Sequence, residues 1–300
     1  MMNTPGEVSL VEVGPRDGLQ NESVMTSVDF RVELVERLAG CGFGALEVGS
    51  FVSPRWVPQM ADTRQVLDTV RRSKDIALIA LVPNMVGMNA AVEANVDRIA
   101  IFSAASESFS QKNTNCSIDE SFERFEPVVE CANENKIPVR GYVSCVLGCP
   151  YEGRMTEDKV IPVVERLFEL GCYEVSLGDT IGVGTVTGTK NLLLELEKSV
   201  PLASIAVHFH DTYGQALPNI LTALERGIST VDSSVGGLGG CPYAKGASGN
   251  VASEDVVYML EGMGVKTGVD LDKLVDISKY VFDNLNRSPA SRVANARLSG

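Results

Sequence analysis

Apolar residues follow two periods that alternate along the chain. Short runs rich in β-branched and small apolar residues, typical of buried strands, occur eight times, and each is followed by a stretch with helical apolar spacing. The predicted strands are Val8–Val13, Ala45–Phe51, Ala77–Val82, Arg98–Phe102, Val139–Val146, Tyr173–Leu177, Ile205–His210 and Thr230–Val235. The predicted helices are Phe30–Ala39, Asp62–Arg72, Gly87–Asn95, Asp119–Asn135, Glu157–Leu170, Gly188–Ser199, Gln215–Arg226 and Glu254–Met263.

Eight consecutive strand and helix units predict a (β/α)8 TIM barrel, because right-handed crossovers make the strands parallel and eight of them close a barrel. An open, doubly wound sheet is the alternative. Its glycine fingerprint would follow the first strand, whereas residues 14–18 here read GPRDG. We expect one catalytic domain over residues 1–300. Within it, residues from about 265, including a ninth predicted helix at Leu271–Asn284, form a C-terminal helical extension.

Two local signals bear on helix boundaries. Ser117 and Glu120 have the spacing of a capping box ahead of the fourth predicted helix. Pro162 falls inside the fifth predicted helix. Because a proline there removes a backbone hydrogen bond and clashes with the preceding turn, we expect a kink or an early boundary.

The composition is that of an ordinary globular enzyme, with 44% hydrophobic and 22% charged residues in a chain of 300. The net charge of −13 argues against binding to nucleic acid or to an anionic membrane surface, since both need clustered Lys and Arg. We find no apolar run of membrane-spanning length and no leader pattern in residues 1–9. The seven scattered cysteines favour reduced thiols, so we expect a cytoplasmic protein.

Ionisable and amide side chains gather where the predicted strands end. They are Arg16 and Asp17 after the first strand, Glu47 in the second, Asn84 after the third, Asp179 after the sixth, and His208, His210 and Asp211 at the end of the seventh. A glycine-rich segment, residues 236–249, follows the eighth strand and leads to Asn250. Active sites of TIM barrels lie at the carboxyl ends of the strands, so this distribution predicts a site at that end.

His208 and His210 are the two histidines of the chain and stand two residues apart on a predicted strand. Strand periodicity places both rings on one face and turns Phe209 to the other. Two hydrogen-bonded structural histidines are one interpretation, but such a pair at a strand end fits a metal site better. With the Asp17 carboxylate and the Asn250 amide oxygen, the ligand set contains no thiolate and suits Mg²⁺ or Mn²⁺.

Cysteines offer two further candidate sites. Cys145 and Cys149 could form a zinc pair, but the strand and turn between them would not obviously bring the thiols together. Cys241 lies in the glycine-rich segment near Lys245, where a thiol can exchange a proton or be oxidised. An incidental loop cysteine is the other interpretation, and glycine density alone does not decide between the two.

Five segments resemble 3-hydroxy-3-methylglutaryl-CoA lyases, a family of the DRE-TIM metallolyases. The segments are Val11–Glu22, Ser50–Met60, Gly178–Gly182, His208–Thr212 and the glycine-rich segment around Cys241, which is the most specific of them. The likeness runs in order from about residue 7 to about residue 265. Residues 286–300 match least and lack the C-terminal cysteine of animal members, so we do not expect their thiol switch.

The resemblance implies a metal-dependent cleavage of 3-hydroxy-3-methylglutaryl-CoA into acetyl-CoA and acetoacetate, as in leucine degradation and ketone body formation. The implied cofactor is a divalent cation, Mg²⁺ or Mn²⁺, held by Asp17, His208, His210 and Asn250. The implied catalytic residues are Cys241, Arg16, Glu47, Asp179 and His208. The implied substrate-binding residues are Arg16, Gln20, Asn84 and Thr180. An acyl-CoA substrate and a homodimer are implied as well.

Three other functions remain open at this point. A lyase of the same type could act on a longer branched 3-hydroxyacyl-CoA, because chain length depends on pocket residues that the sequence does not reveal. A related Claisen-type acyl-CoA synthase is the second, although such enzymes generally carry further C-terminal domains. A barrel that binds metal without catalysis is the third, and the presence of every motif residue argues against it.

Overall fold

A closed barrel of eight parallel strands forms the centre of the molecule. The computed structural model describes residues 4–72, 75–240 and 249–299. Each strand pairs with its neighbours in sequence and the last pairs with the first, which confirms the predicted (β/α)8 TIM barrel. The strands are β1 (Ser9–Glu12), β2 (Ala45–Ser50), β3 (Ala77–Leu81), β4 (Arg98–Ala104), β5 (Val139–Ser144), β6 (Glu174–Asp179), β7 (Ile205–Phe209) and β8 (Thr230–Ser233).

Helices separate the strands along the chain and surround the barrel. They are α1 (Val28–Ala39), α2 (Thr63–Thr69), α3 (Met85–Glu93), α4 (Glu107–Thr114), α5 (Ile118–Glu134), α6 (Glu157–Leu170), α7 (Val186–Leu196), α8 (Ala216–Glu225), α9 (Ser253–Gly262), α10 (Leu271–Leu285) and α11 (Arg292–Leu298). Within the described ranges, no helix combines the length and the apolar character that crossing a membrane requires.

The strands are buried on both faces, which explains why apolar residues predominate in them. Side chains of one face meet inside the barrel, where Val11, Ile79 and Tyr142 belong to a small apolar cluster. Side chains of the other face pack against the helices in a larger cluster that includes Leu46. Because faces alternate along a strand, Glu47 then points into the barrel, beside the site described below.

Two helices differ from the sequence-based prediction. α6 continues through Pro162 to Leu170, so the early boundary is wrong, whereas the kink stays a prediction. Burial of Val164 and Leu167 stabilises the turn after the proline despite the lost backbone hydrogen bond. The apolar pattern does not predict α4, because this helix is short and mostly polar. α4 begins after Ser106, whose hydroxyl accepts a hydrogen bond from Phe109 N.

The chain after α9 packs against the end of β8. α10 includes all residues of the predicted ninth helix, and α11 follows it. Gly236, with a φ of 61°, has no space for a side chain, since a Cβ there would lie 2.1 Å from the Phe282 ring of α10. Its carbonyl accepts a hydrogen bond from Ala290 N over 2.8 Å. The C-terminal helices therefore support the start of the segment that follows β8.

Candidate functional site

Three predicted metal ligands converge at the carboxyl end of the barrel. One potential ligand atom from each of Asp17, His208 and His210 lies within 4.8 Å of the other two, and the two imidazole rings are 5.4 Å apart. Phe209, between the histidines, is buried on the helix side of the strand, as strand periodicity predicts. Ligands of one cation with bonds of about 2.1 Å lie roughly 3–4 Å apart, so this donor set fits a single divalent metal ion.

Asp17 lies on a single π-helical turn, Gly14–Gly18, that follows β1. Its two carboxylate oxygens face different partners: Oδ1 accepts a hydrogen bond from Arg16 over 2.5 Å, and Oδ2 lies 3.7 Å from Nε2 of His208. Burial alone would raise the pKa of Asp17. The charges of Arg16 and the two histidines outweigh it and hold that pKa well below its usual range, so the carboxylate is ionised and able to ligate a cation.

Arg16 is buried between two carboxylates. Its second Nη atom donates to Oε2 of Glu47 over 2.7 Å, and Tyr142 donates to the same oxygen over 3.3 Å. Nε of Arg16 and Oε1 of Glu47 have no hydrogen-bond partner among the described residues. Glu47 thus fixes the plane of the Arg16 guanidinium, and Arg16 still has N–H groups that can donate to a bound molecule.

Asn250 joins the group across the barrel mouth. Its backbone forms an isolated bridge with His210, and its Nδ2 donates to Oδ2 of Asp17 over 2.8 Å and to Leu238 O over 3.1 Å. Because an amide ligates a metal through oxygen, the carbonyl oxygen would have to take the place of Nδ2 for Asn250 to be a ligand. An amide rotation exchanges these two atoms without moving the backbone.

Behind His208 lies a buried charge network that the sequence did not reveal. Asp232 of β8 has Oδ2 at 3.3 Å from Nδ1 of His208 and receives two hydrogen bonds, of 2.8 and 3.0 Å, from the guanidinium of Arg140 in β5. Ser176 donates to the same carboxylate over 2.9 Å, and Glu174 accepts from Nε of Arg140 over 2.6 Å. The sequence does carry a signal for this network: Arg140 and Asp232 are charged residues at inward-facing positions of predicted strands.

The two histidines differ electrostatically. Burial would lower the pKa of His208, but its hydrogen bond to the Asp232 carboxylate and the charge of Asp17 raise that pKa above its usual value. For His210, burial and the neighbouring His208 lower the pKa to about 4, and its Nδ1 has no partner in the part of the chain that the structure describes. His210 is therefore neutral at pH 7, the form in which imidazole ligates a metal.

Asp179 and Thr180, at the end of β6, use their side chains to hold neighbouring loops. The Asp179 carboxylate accepts hydrogen bonds from Val183 N over 3.2 Å and Gly184 N over 2.8 Å, and burial raises its pKa to about 6. The Thr180 hydroxyl accepts from Cys145 N over 2.8 Å. Their predicted catalytic and substrate-binding roles stay predictions.

Two predicted substrate contacts lie in other loops. Asn84 is exposed and caps α3, with its side-chain oxygen accepting from Gly87 N over 3.1 Å. Gln20 is half-buried, two residues after the Gly14–Gly18 turn. Their predicted substrate-binding roles stay predictions.

Cys241 and Lys245 lie outside the described residues, but both ends of the loop that carries them are placed. A Cβ on Gly249 would lie 2.4 Å from the Gly239 carbonyl carbon, so the two ends of the loop meet there. A Cβ on Gly239 would be 2.8 Å from Nδ2 of Asn250, and Asn21 donates to Gly240 O over 3.0 Å. The loop therefore leaves and rejoins the barrel directly beside the metal group.

Most of the chain matches a known protein family. Residues 7–281 match the family model described as HMGL-like. The chain belongs to the HMGL-like family. This HMGL-like protein is 56% identical over 295 residues to the mouse protein named 3-hydroxy-3-methylglutaryl-CoA lyase, cytoplasmic, with 98% of this chain and 86% of the mouse protein covered.

Solved structures agree with this assignment. The crystal structure of hydroxymethylglutaryl-CoA lyase from Pseudomonas aeruginosa is 54% identical and superposes with a TM-score of 0.97, covering 99% of both chains. An HMG-CoA lyase from Acinetobacter baumannii in complex with coenzyme A and 3-methylmalate is 36% identical, with a TM-score of 0.93 and coverage of 97% of this chain and 95% of that one. Curated relatives include lyases named as cytoplasmic and as mitochondrial, so the cytoplasmic location of this HMGL-like protein stays a prediction.

Proposed function

We propose that this protein is a divalent-metal-dependent 3-hydroxy-3-methylglutaryl-CoA lyase, which cleaves its substrate into acetyl-CoA and acetoacetate. The observation that carries the proposal is the group of Asp17, His208 and His210 beside the Arg16–Glu47 pair. It occurs in a chain more than half identical to proteins named as this lyase. One catalytic domain, with a C-terminal helical extension, would carry the reaction.

The reaction removes a proton from a tertiary hydroxyl, breaks the adjacent carbon–carbon bond and leaves a thioester enolate that must be protonated. A divalent cation, Mg²⁺ or Mn²⁺, would bind the substrate oxygens and lower the pKa of the hydroxyl. Asp17, His208, His210 and Asn250 would hold it. This set of oxygen and imidazole ligands contains no thiolate, which favours these two ions.

Arg16 would stabilise the enolate oxygen as negative charge develops on it. Only two of its five N–H groups are used by Asp17 and Glu47 in the hydrogen bonds described above, so donors remain for the substrate. Because Glu47 fixes the guanidinium before the substrate arrives, little reorganisation is needed during the reaction. Glu47 thus acts through Arg16.

Asp179 and His208 are the two candidates for taking the hydroxyl proton. Both nitrogens of His208 face other groups, Nδ1 toward Asp232 and Nε2 toward Asp17. The Asp179 carboxylate has a pKa of about 6, so it is ionised at neutral pH yet remains a usable base. Cys241 would protonate the enolate carbon, as the resemblance of its loop implies.

An acyl-CoA substrate is supported by the coenzyme A complex of the Acinetobacter baumannii relative. The products would connect this enzyme with leucine degradation and ketone body formation, and we propose a homodimer on the resemblance. Turnover of 3-hydroxy-3-methylglutaryl-CoA should be compared with that of longer branched 3-hydroxyacyl-CoAs. If kcat/KM is at least tenfold higher for one of the longer compounds, that compound and not 3-hydroxy-3-methylglutaryl-CoA is the preferred substrate.

A further inference from the structure

The turn that carries Asp17 packs directly on the segment that leads into the glycine-rich loop. Glycines at both ends of the turn permit this approach. A Cβ on Gly14 would lie 3.1 Å from the Ser234 hydroxyl, and one on Gly18 would lie 2.7 Å from Cβ of Leu238. The two segments are therefore in direct contact, without space for a side chain between them.

Glu12 lies beneath this contact and binds both segments. It is the last residue of β1 and is fully buried. Its Oε1 accepts hydrogen bonds from Gly14 N over 2.8 Å and from Val235 N over 2.9 Å. Its Oε2 accepts from the Ser253 hydroxyl over 2.5 Å, three residues after Asn250. One carboxylate thus joins three separate stretches of chain.

We propose that Glu12 is a positioning residue for the reaction, holding the Asp17 turn, the start of the glycine-rich loop and the stretch after Asn250 in one fixed arrangement. The proposal rests on the proposed function for its kinetic part. The role requires a hydrogen-bond acceptor, since Oε1 receives the buried backbone N–H groups of Gly14 and Val235. It does not require contact between Glu12 and the substrate.

Two substitutions separate the acceptor from the rest of the side chain. Glu12→Gln keeps an oxygen for Gly14 N and Val235 N, and its amide N–H can donate to the Ser253 hydroxyl. Glu12→Met has similar length but leaves both backbone N–H groups unpaired. Small displacements of reacting groups cost on the order of 10²-fold in rate, so the two variants should differ widely.

The test measures kcat, KM and Mn²⁺ affinity by calorimetry on wild type and both variants, with circular dichroism as a check of folding. Glu12→Met should lower kcat by about 10²-fold, with a much smaller change in KM, and should weaken Mn²⁺ binding by about tenfold or more. Glu12→Gln should stay within about threefold of wild type. Leu193→Ala, which shortens a buried side chain of α7 in the outer layer, is the control: it should lower the melting temperature and leave kcat and Mn²⁺ binding unchanged.

A folded Glu12→Met protein with wild-type kcat and Mn²⁺ affinity would overturn the proposal, and so would a Glu12→Gln protein as impaired as Glu12→Met. If Glu12→Met does not fold, Glu12→Asp decides, because its shorter side chain cannot reach both N–H groups: loss of kcat and Mn²⁺ affinity supports the proposal, and wild-type values refute it. If the wild-type protein shows no turnover, the proposed function is refuted. The role of Glu12 is then still tested by the Mn²⁺ affinities of the variants.

Discussion

Oδ2 of Asp232 lies 3.3 Å from Nδ1 of His208, on the side of the ring away from Asp17. The opposite nitrogen, Nε2, faces the Asp17 carboxylate at 3.7 Å. A carboxylate that holds one imidazole nitrogen fixes the orientation of the ring and leaves the other nitrogen for a metal ion. Asp232 therefore prepares His208 for ligation before any cation binds.

Asp232→Asn should weaken Mn²⁺ binding by roughly 10–100-fold, the usual effect of removing a partner of a metal-ligating histidine. Calorimetric titration of the chelated protein measures this directly. Ser176→Ala is the matched control, because Ser176 also contacts Asp232 but not His208, and it should change the affinity far less. Equal Mn²⁺ affinity in Asp232→Asn and wild type would show that Asp232 does not prepare His208 for metal binding.

Arg16→Lys should lower kcat by on the order of 10²–10³-fold, although the positive charge is kept. A lysine ammonium cannot donate along two fixed directions to Asp17 and Glu47 and still present a planar face of donors to an enolate oxygen. Steady-state kinetics measures the loss. Arg37→Lys changes an exposed arginine paired with Glu33 and should leave kcat unaltered; a similar small effect for Arg16→Lys would contradict its role.

Turnover should rise with pH through the pKa of Asp179, about 6, because the group must be deprotonated to accept the hydroxyl proton. The acidic limb of the kcat/KM profile reports this ionisation. Asp179→Asn should remove the limb and lower kcat by about 10²–10⁴-fold. An unchanged acidic limb in Asp179→Asn would assign the proton transfer to another group.

The free energy of unfolding should depend on the ionisation of Glu254, whose carboxylate oxygens both accept from Gly236 N over 2.9 Å. Burial raises the pKa of Glu254 to about 8 from its ordinary value of 4.5, so between these limits the folded state binds a proton that the unfolded state has lost. The stability that this group supplies below pH 4.5 is therefore lost as the pH rises through 8, by at most about 5 kcal/mol. Urea unfolding of wild type and Glu254→Gln at several pH values measures the difference, which should shift in favour of the variant at high pH. A difference that does not vary with pH would refute this account.

The barrel and the metal group could be predicted because their signals are local. Apolar periods identify strands and helices one at a time, and strand periodicity alone places His208 and His210 on one face. Asp17 joins them because the barrel brings all strand ends to one mouth. The motif at each strand end can be recognised in the sequence without knowing which residues it contacts in the folded protein.

The network behind His208 could not be predicted in the same way. Arg140 and Asp232 are 92 residues apart, and each resembles an isolated charge in an apolar strand until the barrel closes. The role of Glu12 is hidden for a related reason, since it depends on backbone N–H groups of Gly14 and Val235 that carry no sequence signature. Supporting residues are defined by tertiary contacts, whereas ligand motifs are defined by spacing.

Product analysis with and without metal shows whether this protein is a metal-dependent lyase. The chelated protein should release neither acetyl-CoA nor acetoacetate from 3-hydroxy-3-methylglutaryl-CoA, and addition of Mg²⁺ or Mn²⁺ should restore both products in equal amounts. His210→Ala, which removes one proposed ligand, should remain inactive or require far more metal. Full turnover in an exhaustively metal-free sample would show that the reaction needs no metal, and metal-loaded protein that forms no acetoacetate would refute the proposed lyase activity.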